Sequence, residues 1–338
     1  MVKILGIEFA PINIPIERRL QTLAVLYYCC EFLLIGFLSL LLLINLIFTK
    51  YYYLSILYFM WFIYDRKVCN QGGRLSVWAR NWTIWRYFVN YFPLKLVKTV
   101  DLNPNKNYIF GCHPHGILCA SAFGNFGTEG TGFSKLFNGL TPHILTLETQ
   151  FWFPFHRELF LMSGACSATK QSMQWLLSKE DKGHVLVLLV GGAIEALDAV
   201  PNTLKLTVKR RKGFIKLALK HGASLVPVLS FGENDIFIQK ERQNNSFMRK
   251  IQQLLTKYLG FSPPLFHGRG VFQYNYGFIP FRKSITTVVG EPIDITKVKN
   301  PTNEEIYELQ DKYIECLKKL FNENKNKYGF NDLQLIIQ

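Results

Sequence analysis

Between Leu23 and Phe48 the chain carries a single formal charge, Glu31, and from Phe32 to Phe48 it carries none. A helix over this stretch is long enough to cross the apolar interior of a bilayer, which takes about 20 residues. After Thr49-Lys50 a second apolar run, Tyr51 to Tyr64, is too short to cross alone. It is rich in Tyr and Trp, which favour the headgroup zone. Read together, residues 20–64 are expected to form a helical hairpin that dips into or across a membrane, with a short segment (1–19) before it and one large domain (65–338) after it. The apolar block is too long for a cleaved signal peptide, and no small-residue cleavage site follows it. Glu31 keeps a competing reading open, a core hairpin buried in a soluble domain.

The flanking charges orient the hairpin. Arg18 and Arg19 precede it, Arg66, Lys67 and Arg74 follow it, and the loop offers only Lys50. The positive-inside rule then places both ends in the cytosol. Apolar residues make up 49% of the chain although its net charge is +15, a combination suited to an anionic surface or ligand. No nucleic-acid motif accompanies that charge, so nucleic acid is not an expected partner. Seven irregularly spaced cysteines argue for a reducing compartment rather than a disulfide framework. In a cytosolic domain the sequons at Asn81 and Asn244 stay unglycosylated.

Within the large domain, Tyr108-Ile109-Phe110-Gly111-Cys112 reads as a buried strand that breaks into His113-Pro114-His115-Gly116. Residues 117–122 are small or apolar enough to open a helix. An imidazole at a strand-to-helix turn stands where open α/β folds keep their chemistry, and near neutral pH it is a natural general base. His115 is the preferred base because it abuts Gly116 at the helix opening, where backbone amides can hold an oxyanion. His113 is left to orient His115 or the substrate. Cys112 as a nucleophile would need a depressed pKa and an oriented base. Cys112, His113, His115 and Cys119 match no common zinc spacing, so no metal is expected.

Strands are expected at Tyr108–Gly111, Ile144–Leu147, Val185–Val190 and Leu225–Leu229. Helices are expected after Ser167, from Phe214 to His221 with Gly222 as C-cap, and from Thr302 with Glu305 completing a capping box. Ile306, Leu309, Tyr313, Leu317 and Leu320 form a core-facing stripe on the last of these. Such alternation implies an α/β fold, a largely parallel or mixed sheet flanked by helices. Val190-Gly191-Gly192 ends a strand in paired glycines, against which a substrate can lie, and delivers Glu195 one turn later. Lys209-Arg210-Arg211-Lys212 stands at a helix start, where cations and amides favour phosphate.

These blocks, in order, resemble the diacylglycerol acyltransferase type 2 family. The match includes residues 108–116, Arg157 with Met162-Ser163-Gly164, residues 191–195, Arg211-Lys212-Gly213-Phe214 and Phe231-Gly232-Glu233-Asn234. Phe37-Leu38-Ser39-Leu40 fits the family's neutral-lipid stretch, and the opening from Glu8 to Leu26 looks most like its monoacylglycerol acyltransferase branch. The resemblance implies a glycerolipid-acyltransferase-like fold in an endoplasmic reticulum protein that faces the cytosol, with the lipid droplet surface as a second location. It implies acyl-CoA as co-substrate with no further cofactor, a monoacylglycerol as acceptor with a diacylglycerol or a long-chain alcohol as the alternatives, and substrate contacts at Arg157, Phe37, Leu38 and Leu40. A homo-oligomer is compatible with it. Remotely similar acyltransferases place an Asp five positions after the His, where this chain has Leu118 after His113 and Ala120 after His115. Glu129 and Glu195 are the candidates to replace that carboxylate. Two other classes were weighed: a serine hydrolase, whose Gly-x-Ser-x-Gly elbow is missing around Ser230, and a non-enzymatic droplet-coating hairpin.

Overall fold

Short β-branched and apolar runs between glycines and polar turns make strands, and where both faces are covered the runs lose their alternation. The structure, a computed structural model, describes residues 2–4, 6–11, 13–239 and 265–338. One sheet contains β1 (Lys95–Lys98), β2 (Tyr108–His113), β3 (Thr141–Thr146), β4 (Cys166–Ser167), β5 (His184–Leu189), β6 (Ser224–Phe231) and β7 (Thr286–Val289). Their order is β1-β7-β6-β2-β5-β3-β4, and β6 with β7 is the antiparallel pair in an otherwise parallel sheet. Every residue of β2 and β6 is buried, which is why each reads as a continuous apolar run. The expected strands correspond to β2, β3, β5 and β6, with limits shifted by one to three residues.

After a short antiparallel strand pair, Val2–Ile4 with Ile7–Phe9, comes α1 (Ile16–Cys30), which continues through a π-helical turn at Glu31–Ile35 into α2 (Gly36–Ile47). Together they form a helix of 32 residues, apolar and long enough to cross a membrane. After a tight turn, α3 (Tyr52–Asp65) packs back on α2, and the Ser55 hydroxyl donates to the Leu43 carbonyl at 2.7 Å. Beyond that seam the pair is greasy outside: Leu38, Leu41, Leu42, Leu57, Met60 and Ile63 are all exposed. By contrast α1 buries Ala24, Val25, Tyr28 and Cys29 in a cluster with Trp85 and Phe88.

The remaining helices used below are α4 (His156–Met162), α5 (Lys170–Leu177), α6 (Ala193–Leu197), α7 (Gly213–His221) and α8 (Asn303–Asn324). Thr169 caps α5, Gly222 (φ +66°) ends α7, and Thr302 with Glu305 forms the capping box of α8. Met173, Leu176, Phe214, Tyr313, Leu317 and Leu320 meet in one core on a face of the sheet. Phe110, Phe126, Phe133 and Phe137 fill the core on the other. Asn81 is exposed, whereas Asn244 lies outside the described residues.

Candidate active site

β2 lies between β5 and β6, so the chain leaves β2 toward one side of the sheet and returns on the other. At such a switch point the loops after adjacent strands splay apart and leave a crevice. The loop after β2 carries both histidines. His113 is fully buried, and its Nε2 lies 2.9 Å from the Tyr313 hydroxyl. That hydroxyl donates its proton to the Gly111 carbonyl at 3.1 Å. It therefore accepts from His113 Nε2–H, and His113 Nδ1 is left as a buried acceptor without a partner among the described residues. Burial lowers the His113 pKa to about 3, so this imidazole stays neutral.

His115 is half-buried and differently held. Its Nδ1 lies 2.9 Å from the Gly116 carbonyl, which can only accept, so the proton sits on Nδ1 and the lone pair on Nε2. Cys119 Sγ is 3.6 Å from that Nε2. Burial lowers the His115 pKa, with the Gly116 carbonyl opposing it. A neutral, half-buried imidazole with a fixed tautomer and its lone pair on Nε2 has the form of a general base.

Two buried carboxylates strap this loop. Glu195, on α6 after β5, accepts from the His115 amide at 3.2 Å and, through its other oxygen, from the Thr207 amide at 2.7 Å. Glu233, after β6, accepts from the Ala120 amide at 2.9 Å and the Ser121 amide at 2.8 Å. Burial pushes both acids up to about 7 although these hydrogen bonds favour the charged forms. Two expectations need correcting. The amides of His115, Ala120 and Ser121 are taken by carboxylates and are not free for an oxyanion. Gly116 and Gly191 do not make room for substrate: a Cβ at Gly116 would lie 2.6 Å from Glu233 Cγ, and one at Gly191 would overlap the Glu195 carboxyl. The glycines admit the two carboxylates. Gly192 is different, since its φ of +60° turns the chain at the mouth of the crevice with only Arg211 within 4 Å among the described residues.

Arg211 donates to the Gly191 carbonyl at 3.3 Å, and its charge lowers the pKa of Glu195. Arg210 is exposed beside it, and Lys212 Nζ lies 3.8 Å from the centre of the Tyr307 ring. The basic run therefore borders the crevice.

Other candidates lie elsewhere. Arg157 on α4 has no exposed surface, and its guanidinium is committed to Asp65 (2.8 Å) and Glu158 (2.6 Å). It ties α3 to the domain instead of facing a substrate. Glu129 pairs with Arg80 at 2.8 Å and so cannot serve His115. The Cys112 side chain is buried in the core and its thiol pKa is pushed well up, which rules out a poised thiolate. Ser230 is buried in β6, where its hydroxyl bonds Thr287 at 2.8 Å. Phe37 and Leu38 are exposed on α2 and Leu40 is half-buried. Tyr313 and Glu233 were not assigned site roles from the sequence. Tyr313 belonged to a helical core stripe, and Glu233 stood in a matching block without a stated task.

The description "Diacylglycerol acyltransferase" belongs to a family model that matches residues 44–338. The chain is 50% identical over 331 residues to 2-acylglycerol O-acyltransferase 1 of Bos taurus, covering 98% of this chain and 99% of that protein. It is 48% identical to the Homo sapiens protein of that name at the same coverages. With Diacylglycerol O-acyltransferase 2 of Homo sapiens it shares 43% identity over 322 residues, 95% of this chain and 83% of that one. The crystal structure of the 1-acyl-sn-glycerophosphate (LPA) acyltransferase PlsC from Thermotoga maritima aligns with a TM-score of 0.43 and 13% identity over 92% of this chain and 98% of that one, too distant a likeness to carry fold or mechanism. The chain belongs to the diacylglycerol acyltransferase family, and it is an acyltransferase.

Proposed function

We propose that this protein transfers an acyl group from acyl-CoA to a monoacylglycerol, giving a diacylglycerol, with His115 as general base. The observation that carries the mechanism is the 2.9 Å contact of His115 Nδ1 with the Gly116 carbonyl, which leaves the lone pair on Nε2 of a half-buried side chain. In the reaction, Nε2 takes the proton of the acceptor hydroxyl while its oxygen attacks the thioester carbonyl. The tetrahedral intermediate collapses, the C–S bond breaks, and the CoA thiolate leaves and recovers the proton from the imidazolium. A thioester is an activated donor, so base catalysis worth about 10²–10⁴ with alignment of two bound substrates is sufficient. His113, neutral and walled in by Tyr313, and Glu195, holding the His115 amide, keep the loop in place. Arg210, Arg211 and Lys212 supply positive charge for the phosphates of CoA, the only co-substrate this chemistry needs.

Monoacylglycerol is the favoured acceptor because the match to 2-acylglycerol O-acyltransferase 1 runs the whole length of both chains at 50% identity. We further propose that the apolar helix and the exposed face of α2 and α3 place the protein in the endoplasmic reticulum membrane with both termini cytosolic. Deep burial of an acyl chain contributes about 0.8 kcal/mol per methylene, so a lipid acceptor is best drawn directly from the bilayer. Membranes containing the protein, supplied with labelled acyl-CoA and in turn monoacylglycerol, diacylglycerol or a long-chain alcohol, test the reading. Monoacylglycerol should give the highest kcat/KM, and a preference for either other acceptor would overturn the assignment.

A further inference from the structure

Between the C-terminal half of α8 and the strand Gln334–Ile337 lies an open groove of about 620 Å³ that none of the steps above uses. Its apolar lining includes Phe321, Leu335 and Ile336, and its charged lining is Lys209, Lys318 and Lys325. Three ammonium groups with no Asp or Glu among the described lining residues, set around an apolar floor, suit a ligand with one flat apolar face and several negative charges.

The groove is built on elements that also touch the histidine loop and its carboxylates. Lys209 follows by two residues Thr207, whose amide holds Glu195. Phe321 stacks at 6.2 Å on Phe231, the last residue of β6, two positions before Glu233. On α8 itself, Tyr313 touches His113, and Lys325 stands at the C-cap. From 313 to 325 the helix rises about 18 Å at 1.5 Å per residue.

We propose that this groove holds the phosphorylated adenosine of acyl-CoA, a placement that rests on the acyl-CoA reading above. The purine lies on the apolar floor and the 3′-phosphate meets Lys209, Lys318 and Lys325, while the diphosphate lies toward Arg210, Arg211 and Lys212. The pantetheine arm, comparable in length with about five extended residues or roughly 17 Å, then spans the distance back to the histidine loop. Arg211, at the Gly191 carbonyl, borders its path.

The test is equilibrium binding of adenosine 3′,5′-bisphosphate to the full-length protein in neutral detergent, comparing wild type with Lys318→Glu/Lys325→Glu. Wild type should bind saturably and the double variant at least about tenfold more weakly, the loss of charge-assisted contacts. The KM for a long-chain acyl-CoA should rise by a similar factor, while the KM for the same acyl chain on pantetheine should not move. Lys318→Gln/Lys325→Gln repeats the comparison if charge reversal disturbs folding. Absent or unchanged nucleotide binding overturns the proposal. So does an equal effect on both thioesters, or a loss confined to binding of phosphatidylserine vesicles, which would make the groove a lipid-headgroup surface. A wild-type protein that binds the nucleotide but transfers no acyl group from either thioester would refute the acyl-CoA reading and leave the groove standing.

Discussion

Replacing Gly116 with alanine adds a single methyl group, and the structure gives the cost of that methyl two separate origins. The backbone there has φ of +64°, where an L side chain costs about 1–2 kcal/mol. The new Cβ would also stand 2.6 Å from both Cγ and Oε1 of Glu233. That carboxylate cannot simply swing away, because it is buried and holds the amides of Ala120 and Ser121. Overpacking of this kind costs about 1–3 kcal/mol, which brings the sum to roughly 2–5 kcal/mol. Gly132 is the control: its φ is +75°, but a Cβ there meets nothing within 4 Å, so Gly132→Ala should show only the backbone part. At about 2–4 °C per kcal/mol, thermal unfolding in detergent should place Gly116→Ala roughly 4–20 °C below wild type and Gly132→Ala roughly 2–8 °C below it. Acyl transfer by Gly116→Ala should fall by more than about tenfold, because the Gly116 carbonyl orients His115 and small misplacements of a base are costly. If Gly116→Ala is no less stable than Gly132→Ala and retains full activity, Glu233 does not pack against this loop and the account of the site is wrong.

Three further outcomes follow from the same geometry. His115→Ala should lower acyl transfer by about 10²–10⁴ while the protein stays folded and membrane-bound, and near-normal turnover would remove His115 from the mechanism. Burial raises the Glu233 pKa from 4.5 to about 7, so the stability it contributes is fully present below pH 4.5 and is lost as the pH rises through about 7. Glu233→Gln does not titrate, so wild type should lose ground to it between about pH 5 and 8 in thermal unfolding; a constant difference would mean the acid is ionised throughout. The proposed cytosolic placement of both termini requires that Asn81 carry no glycan and that tags at either terminus be digested by protease added outside sealed microsomes. A glycan on Asn81 would put the crevice on the wrong side of the membrane for a CoA thioester.

What could be read from the sequence alone was local. The apolar runs of β2, β5 and β6, the glycine stop of α7 and the capping box of α8 are each carried by neighbours within a few residues, so periodicity and turn chemistry were enough to find them. β1 and β7 are only four residues each; β7 carries a β-branched run, Thr286 to Val289, too short to stand out alone, and both strands are held by pairing with their neighbours in the sheet. The histidines at a strand end were visible for the same local reason. Their division of labour was not. His113 and His115 are two residues apart, yet one is sealed against Tyr313, 200 positions away, and the other is half-buried with its lone pair on Nε2. The carboxylates that hold the loop arrive from 80 and 113 positions away, and one of the two, Glu233, was not among the partners anticipated for it. Arg157 shows the converse: its place in a matching block suggested a ligand, but the carboxylate of Asp65, 92 positions earlier, satisfies it first. Helix caps and strand runs depend on short-range sterics and hydrogen bonds, which a sequence displays directly. The tautomer of a histidine and the ionisation of a buried acid depend on which distant groups share its low-dielectric surroundings, and only the folded chain brings those groups together.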